Sequence, residues 1–467
     1  MWITLKKQIM NNEESLIVTT DKKATFKEYL EMAENTGNML KNNMKSRAKC
    51  AILCESGFNT GRAILSCWAA GMIPIPMSVR YGEKHCRNII ELTKPDLIIT
   101  DESPDWVNEH DICQYNLKDN VFVNEIPLID EEKELCDVAA ILCTSGTTGK
   151  PKGVMITESG LLENIYGISD YFEIGNTDNM LIARPLYHCA VLTGEFLTAL
   201  FKGCNIIFYE EDFSPLRIPA YIEKYNITVL CGTPTIFYHL AQYYMRRKTI
   251  SALHTAVISG ECLYSSVAKI IRASFPETDI YNVYGLTECS PRVCYLAPMY
   301  FDAYPEAVGG GLKNTEIKVV DGNIFVKSPS IMKGYYKNPK LTREVLIGDW
   351  LKTGDIGYKN RNGLIFIHGR ADNMIIKAGM NIYPKEIENK LMTSEMIDEV
   401  MAYPIIGKTG ADIGIKLVLN PLYRDITKKQ LVEAVCKLLP SYMVPLDISI
   451  IDRIVQSGSG KIIREAG

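Results

Sequence analysis

From about residue 48 to 285, short apolar runs alternate with segments whose apolar residues recur at helical spacing. Residues 51–54, 73–75, 97–99, 139–143, 205–209, 229–231, 256–259 and 280–283 predict buried strands, since each is short and largely apolar. Between several of them, residues 60–70, 83–92 and 264–274 predict helices. Strands that are apolar throughout, rather than in alternation, suit a mainly parallel sheet covered by helices on both faces. The texture changes near Gly309. Residues 316–320, 323–326 and 364–368 are short, alternating and separated by Asp-Gly or Asn-Gly turns, which predicts antiparallel hairpins. A small α+β unit comes after them, its clearest helix at residues 427–439, with Leu431, Val432, Val435, Leu438 and Leu439 on one face and Asp425 as the expected cap. The polar run Gly369-Arg370-Ala371-Asp372-Asn373 is the natural boundary between the two parts, and no fixed-period repeat interrupts either.

The chain of 467 residues is about three times the roughly 150-residue prior for one domain. Its 47% hydrophobic and 23% charged residues are ordinary globular composition. Lysine plus arginine (51) against aspartate plus glutamate (55) leaves a net charge of −4, with no electrostatic footprint for nucleic acid or an anionic membrane. The longest apolar stretch, residues 63–77, is broken by Gly71, Pro74 and Pro76 and falls short of the roughly 18–20 residues of a span. The N-terminus lacks the pattern of a secretory signal, so a cytoplasmic location is expected. None of the 14 cysteines forms a CxxC pair and most sit in apolar runs, so they read as small buried hydrophobes in a reducing compartment.

The chemistry concentrates in Thr144-Ser145-Gly146-Thr147-Thr148-Gly149-Lys150-Pro151-Lys152-Gly153, directly after the strand at 139–143. Glycines let backbone N–H groups turn inward, and the hydroxyls and two lysines add donors and positive charge, which suits a polyphosphate. It is not a Walker loop. That motif has four residues between its glycines and Ser/Thr after the lysine. Here two residues separate Gly146 from Gly149, and Pro151 comes after Lys150.

This loop, with further motifs in matching order over nearly the whole chain, resembles the adenylate-forming superfamily of acyl- and aryl-CoA synthetases, nonribosomal-peptide adenylation domains and firefly-type luciferases. Tyr281-Asn282-Val283-Tyr284-Gly285-Leu286-Thr287-Glu288 is similar to the motif whose aromatic residue stacks on adenine and whose Thr-Glu pair meets the α-phosphate and magnesium. The resemblance gives Asp355 of Asp349-Trp350-Leu351-Lys352-Thr353-Gly354-Asp355 the ribose hydroxyls, Arg370 a place near the ribose, and Asp372 the role of pivot. Ser459-Gly460-Lys461 matches the motif carrying the adenylation lysine. The resemblance implies an α/β fold: residues 1–369 as a large domain of layered, mostly parallel sheets with a β-rich, barrel-like part, a hinge at 370–372, and residues 373–467 as a small mobile α+β lid. The implied reaction uses ATP and Mg²⁺ to join a carboxylic acid to AMP, then passes the acyl group to a phosphopantetheine thiol.

Arg184-Pro185-Leu186-Tyr187-His188-Cys189 resembles the family's substrate-gate motif, with His188 at the thiol channel. The next position is Asp in amino-acid-activating relatives, where it pairs with the α-ammonium; here it is Cys189. A neutral thiol cannot compensate a buried ammonium, which argues against an ordinary α-amino acid. Leu286 in place of proline, and the stretch from Lys377 to Glu388, also match the CoA-ligase pattern. Ser259-Gly260-Glu261 dissents, because its Gly-Glu resembles amino-acid-activating domains. The expected substrate is therefore an aryl or short acyl acid, with a stand-alone amino-acid-adenylating enzyme as the alternative and a non-catalytic adenylate-binding protein as a remote one. The sequence ends six residues after Lys461, so the acceptor is read as coenzyme A or a separate acyl carrier protein, the shortness of the chain favouring the carrier.

Overall fold

The computed structural model describes residues 1–78, 82–102, 104–109, 112–124, 132–145, 151–211, 214–249, 253–377, 380–407 and 410–454. One large sheet carries the architecture. Six strands run parallel in the order Leu16–Val18, Asn205–Phe208, Asn179–Ile182, Val229–Gly232, Thr255–Ile258 and Asp279–Gly285. Val229–Gly232 and Thr255–Ile258 are buried along their whole length, as strands covered on both faces must be. Helices Ile218–Tyr225, Pro234–Arg247 and Ser265–Ser274 share one of the flanking cores with this sheet.

Past Asp279–Gly285 the same sheet turns antiparallel, through Arg292–Leu296, Ala307–Gly311, Ile365–Arg370, Trp350–Lys359, Asn323–Lys327 and Glu316–Val320. The predicted hairpin closes through Asp321-Gly322, both at positive φ (48° and 76°), the geometry that lets a two-residue turn match the strand twist. A second sheet sets Ile73–Pro76, Lys49–Leu53, Leu97–Thr100 and Cys113–Asn116 in parallel, with Val121–Val123 antiparallel at its edge.

Two expectations need correction. The strand expected at 139–143 spans Val138–Ser145 and is no member of a parallel sheet. It pairs antiparallel with Pro151–Thr157, Thr144 opposite Lys152, in a separate three-stranded sheet completed by Gly334–Tyr335. The C-terminal helix is Lys428–Leu438, and its cap is Thr427 rather than Asp425. Only the residue next to the first helical turn can reach the open N–H groups, and Thr427 does so reciprocally with Gln430. That helix packs Leu431 and Val435 on Ile415 and Leu417 of a sheet formed by Ile397–Gly407, Gly410–Leu419 and Asp447–Ile450. No helix of the described residues is long and apolar enough to cross a membrane. All 14 cysteines are free.

Candidate active site

At the C-terminal ends of the central strands lies a cleft of about 460 Å³. Ligands of α/β sheets collect at such strand ends. Thr144, Lys152, Gly260, Glu261, Tyr284, Gly285, Thr287, Glu288, Asp355 and Arg370, far apart in sequence, all line it. They arrive on several different elements. Thr144 and Lys152 face each other across the antiparallel pair. Gly285 ends the last parallel strand, where a side chain would collide with the Pro291 carbonyl at 2.2 Å. Asp355 and Arg370 are register partners on neighbouring strands.

Asp355 is buried, and its Oδ2 accepts the Tyr284 hydroxyl. Burial, then the neighbouring Asp355 charge, holds the Tyr284 phenol far above its ordinary range, so it remains a donor. The other carboxylate oxygen lies 3.7 Å from Arg370 Nη1. Arg370 also donates to the Thr353 carbonyl at 2.9 Å and reaches Asp372 Oδ1 at 3.4 Å. Gly354, at φ 76°, lets the guanidinium pass, since a Cβ there would stand 3.0 Å from it. A ribose-sized diol therefore has a fixed carboxylate beside an aromatic residue.

Glu288 sits in a short 3₁₀ turn, Thr287–Cys289, directly after the strand end. Its Oε1 accepts the Tyr335 hydroxyl at 2.7 Å. Burial and Glu288 together push that phenol up, and Lys152 Nζ lies 5.8 Å from the same ring's centroid. The arrangement orients one carboxylate oxygen and leaves Oε2 without a hydrogen bond among the described residues. No group of three or more potential metal-ligating side chains exists among those residues. The unengaged Oε2 of Glu288 is a donor that fits Mg²⁺, which takes one or two carboxylates together with water and substrate phosphates.

The residues expected to meet the acid lie on neighbouring elements. His188 caps a short helix, Cys189–Val191, and its ring stands 4.2 Å from that of Tyr187. Cys189 is buried, which keeps its thiol protonated, although a hydrogen bond with Thr193 pulls the other way. Ser259 Oγ accepts from Arg184 Nη2 at 3.4 Å, while the same nitrogen contacts Glu195 Oε1 at 2.6 Å. Glu261 accepts from Thr235 at 3.2 Å at the cleft margin. Gly146, Thr147, Thr148, Gly149, Lys150 and Lys461 lie outside the described residues, as does the Ser145 side chain.

Sequence reasoning passed over Tyr335, which holds Glu288, and the buried Arg184–Glu195 pair. It also passed over Arg292, although a single charged residue opening the apolar strand Arg292–Leu296 was a legible signal.

The profile described as "AMP-binding enzyme" matches residues 5–336. The chain belongs to that family. Similar relatives include a feruloyl-CoA synthase of an Amycolatopsis species, 26% identical over 418 residues, 86% of this chain and 84% of the relative. A 2-succinylbenzoate–CoA ligase of Listeria innocua is 28% identical over 461 residues, 97% of this chain and 95% of that one. Among solved structures, the Bacillus subtilis O-succinylbenzoate coenzyme A synthetase in complex with ATP and magnesium has a TM-score of 0.84 at 23% identity, covering 99% of this chain and 98% of that one. The shared architecture is that of adenylate-forming enzymes. Because a CoA ligase matches this chain end to end, its shortness no longer favours a carrier protein.

Proposed function

We propose that this AMP-binding enzyme is an acid–thiol ligase: it joins a carboxylic acid lacking an α-amino group to AMP, then transfers the acyl group to coenzyme A. The carrying observation is the convergence of Thr144, Lys152, Tyr284, Thr287, Glu288, Asp355 and Arg370 on one cleft. A polyphosphate, an adenine and a ribose find matching chemistry there. Relatives of the same length named as CoA ligases support the acceptor.

The mechanism rests on positioning and charge. A carboxylate oxygen attacks the α-phosphorus and pyrophosphate departs, so negative charge builds on the phosphoryl oxygens. Thr144, Thr287 and Lys152 donate to those oxygens, and Lys461 supplies a second cation. Bound at Glu288, Mg²⁺ would add Lewis-acid neutralisation of the phosphates. Tyr284 and Asp355 hold the nucleoside. A deprotonated thiol then attacks the acyl carbon of the mixed anhydride and AMP leaves. Movement of residues 373–467 about the hinge at 370–372 exposes the adenylate to the thiol, with residues 1–369 staying in place. Cys189, buried and neutral, leaves an α-ammonium without a partner.

The test is pyrophosphate release with ATP and Mg²⁺ over aryl acids, fatty acids and amino acids, then thioester formation with coenzyme A or a phosphopantetheinylated carrier. Release with an amino acid alone would overturn the acid assignment, and thioester formation only on the carrier would overturn the acceptor.

A further inference from the structure

Behind the nucleotide wall lies a buried group of charges that the activation chemistry does not use. Arg184 leaves the end of strand Asn179–Ile182, Ser259 comes just past the end of Thr255–Ile258, and Glu195 belongs to the π-helical turn Leu192–Leu197. Arg184 and Glu195, 7% and 1% exposed, pair at 2.6 Å. Single π-turns inside helices recur at functional sites, because they redirect side chains out of helical register.

Arg292 is different. It is 5% exposed, no carboxylate stands within ion-pair distance of its guanidinium among the described residues, and Glu195, already paired with Arg184, acts on it only at longer range. The one hydrogen bond of its side chain there goes from Nη1 to the Tyr171 hydroxyl, and its Cζ lies 6.0 Å from the centre of that ring. Tyr171 in turn stacks on Tyr295 at 3.8 Å between centroids. Two buried guanidiniums, Arg184 and Arg292, thus share the one carboxylate of Glu195, and the excess positive charge is costly to keep without a further counter-charge. Two features show where that counter-charge would come from. Arg292 is the register partner of Gly285, the glycine that lines the nucleotide cleft. Its Nη2 lies 3.0 Å from where a Cβ on Gly194 would stand, so the glycine of the π-helical turn gives the guanidinium its place beside that turn, next in sequence to Glu195.

Resting on the acid-activation reading, we infer that Arg292 is the specificity residue of the acid pocket and that the preferred substrate carries a second anionic group, a carboxylate set apart from the one that is activated. The Arg184–Glu195 pair with Ser259 forms the neutral, hydrogen-bonding side of that pocket, while the guanidinium of Arg292 takes the distal carboxylate. Its rigid fork offers two parallel donors to a carboxylate, which a neutral substituent cannot match. The same cation repels an ammonium group at that distal position, so ω-amino acids are excluded by a cause separate from Cys189.

The experiment compares kcat/KM for pyrophosphate release across three ladders of equal chain length: linear monoacids, the α,ω-diacids and the ω-amino acids, with benzoate and its carboxylated forms as a rigid set. At the chain length that fits, the diacid is expected to exceed the monoacid by about 100-fold, the discrimination typical of a charge-assisted hydrogen bond left unmade, and the ω-amino acid to be poorest. Arg292→Gln is expected to lower diacid activity by about the same factor through KM, leave the monoacid within about fivefold, and remove the discrimination against the ω-amino acid. Arg292→Lys keeps the charge without the fork and is expected to fall between. Monoacids equal to or better than every diacid in the unaltered enzyme would overturn the proposal, with no variant needed, and leave the activation reading standing. Release with no acid of any class would overturn both.

Discussion

Asp355 offers the sharpest separation of binding from folding. Its carboxylate accepts the Tyr284 hydroxyl and neighbours Arg370, and in the proposed function it meets the ribose. Asp355→Asn keeps a carbonyl oxygen for Tyr284 and the same shape, but removes the charge. Hydrogen bonds to charged groups contribute about 1.5–3 kcal/mol, and each 1.36 kcal/mol is a factor of ten, so KM for ATP is expected to rise about 10- to 150-fold. Stability should barely move. Asp355→Ala loses the same nucleotide contacts and also strands the Tyr284 hydroxyl in a buried position, a further cost of about 1–3 kcal/mol in unfolding free energy. The assay is initial-rate pyrophosphate release at saturating acid and varied ATP, beside a denaturant melt of both variants. An unchanged KM for ATP in the asparagine variant would refute the ribose role. An asparagine variant as unstable as the alanine one would make Asp355 a structural charge.

Tyr335→Phe removes the phenol that orients Glu288, so the Mg²⁺ concentration for half-maximal rate is expected to rise about tenfold with little change in melting temperature; an unmoved Mg²⁺ titration would remove Glu288 from the metal site. Lys461→Ala should lower adenylate formation by orders of magnitude while sparing thioester formation from supplied adenylate, and equal loss in both steps would contradict its role. Asp372→Pro should split the two half-reactions, because the 3₁₀ turn Ala371–Asn373 has a φ that proline accepts and proline then holds. Equal effects on both steps would end the hinge assignment. Cys262 lines the cleft, but burial pushes its thiol to about 12. Its alkylation should therefore keep climbing about tenfold per pH unit beyond about pH 8.5, where a free thiol levels off, and should trail that of the exposed Cys136 and Cys436. A plateau near pH 8.5, read by peptide mass spectrometry, would show the thiol to be solvated.

Much of the fold was legible because a strand covered on both faces must be apolar along its length, as at Val229–Gly232 and Thr255–Ile258. The same property hides pairing partners. The apolar run before the phosphate loop looks alike whether it joins a parallel sheet or, as it does, an antiparallel one. The cap of helix Lys428–Leu438 depended on which neighbouring polar residue reaches the first turn, a matter of one or two positions. In the site, the family resemblance of the motifs brought Tyr284, Glu288, Asp355 and Arg370 into view, and the fold carries them on or beside the strands that frame the cleft. Tyr335 and Glu195 were hidden because sequence does not report burial. Glu195, between Gly194 and Phe196, reads as a surface residue until it is seen to be 1% exposed.

The contact of Arg370 with both Asp355 and Asp372 has a thermodynamic consequence. In the proposed mechanism, a nucleotide whose ribose engages Asp355 competes for the carboxylate beside Arg370, and so alters the grip of Arg370 on Asp372, the proposed pivot two positions away. Linkage then requires the reverse with equal strength: a change of posture at the pivot changes nucleotide affinity by the same factor. In the proposed mechanism, ATP and the thiol acceptor would thereby become heterotropic effectors of one another, communicating through a single guanidinium. Loss of AMP after thiolysis and return of the lid to its starting posture are, on this wiring, one equilibrium viewed from two ends.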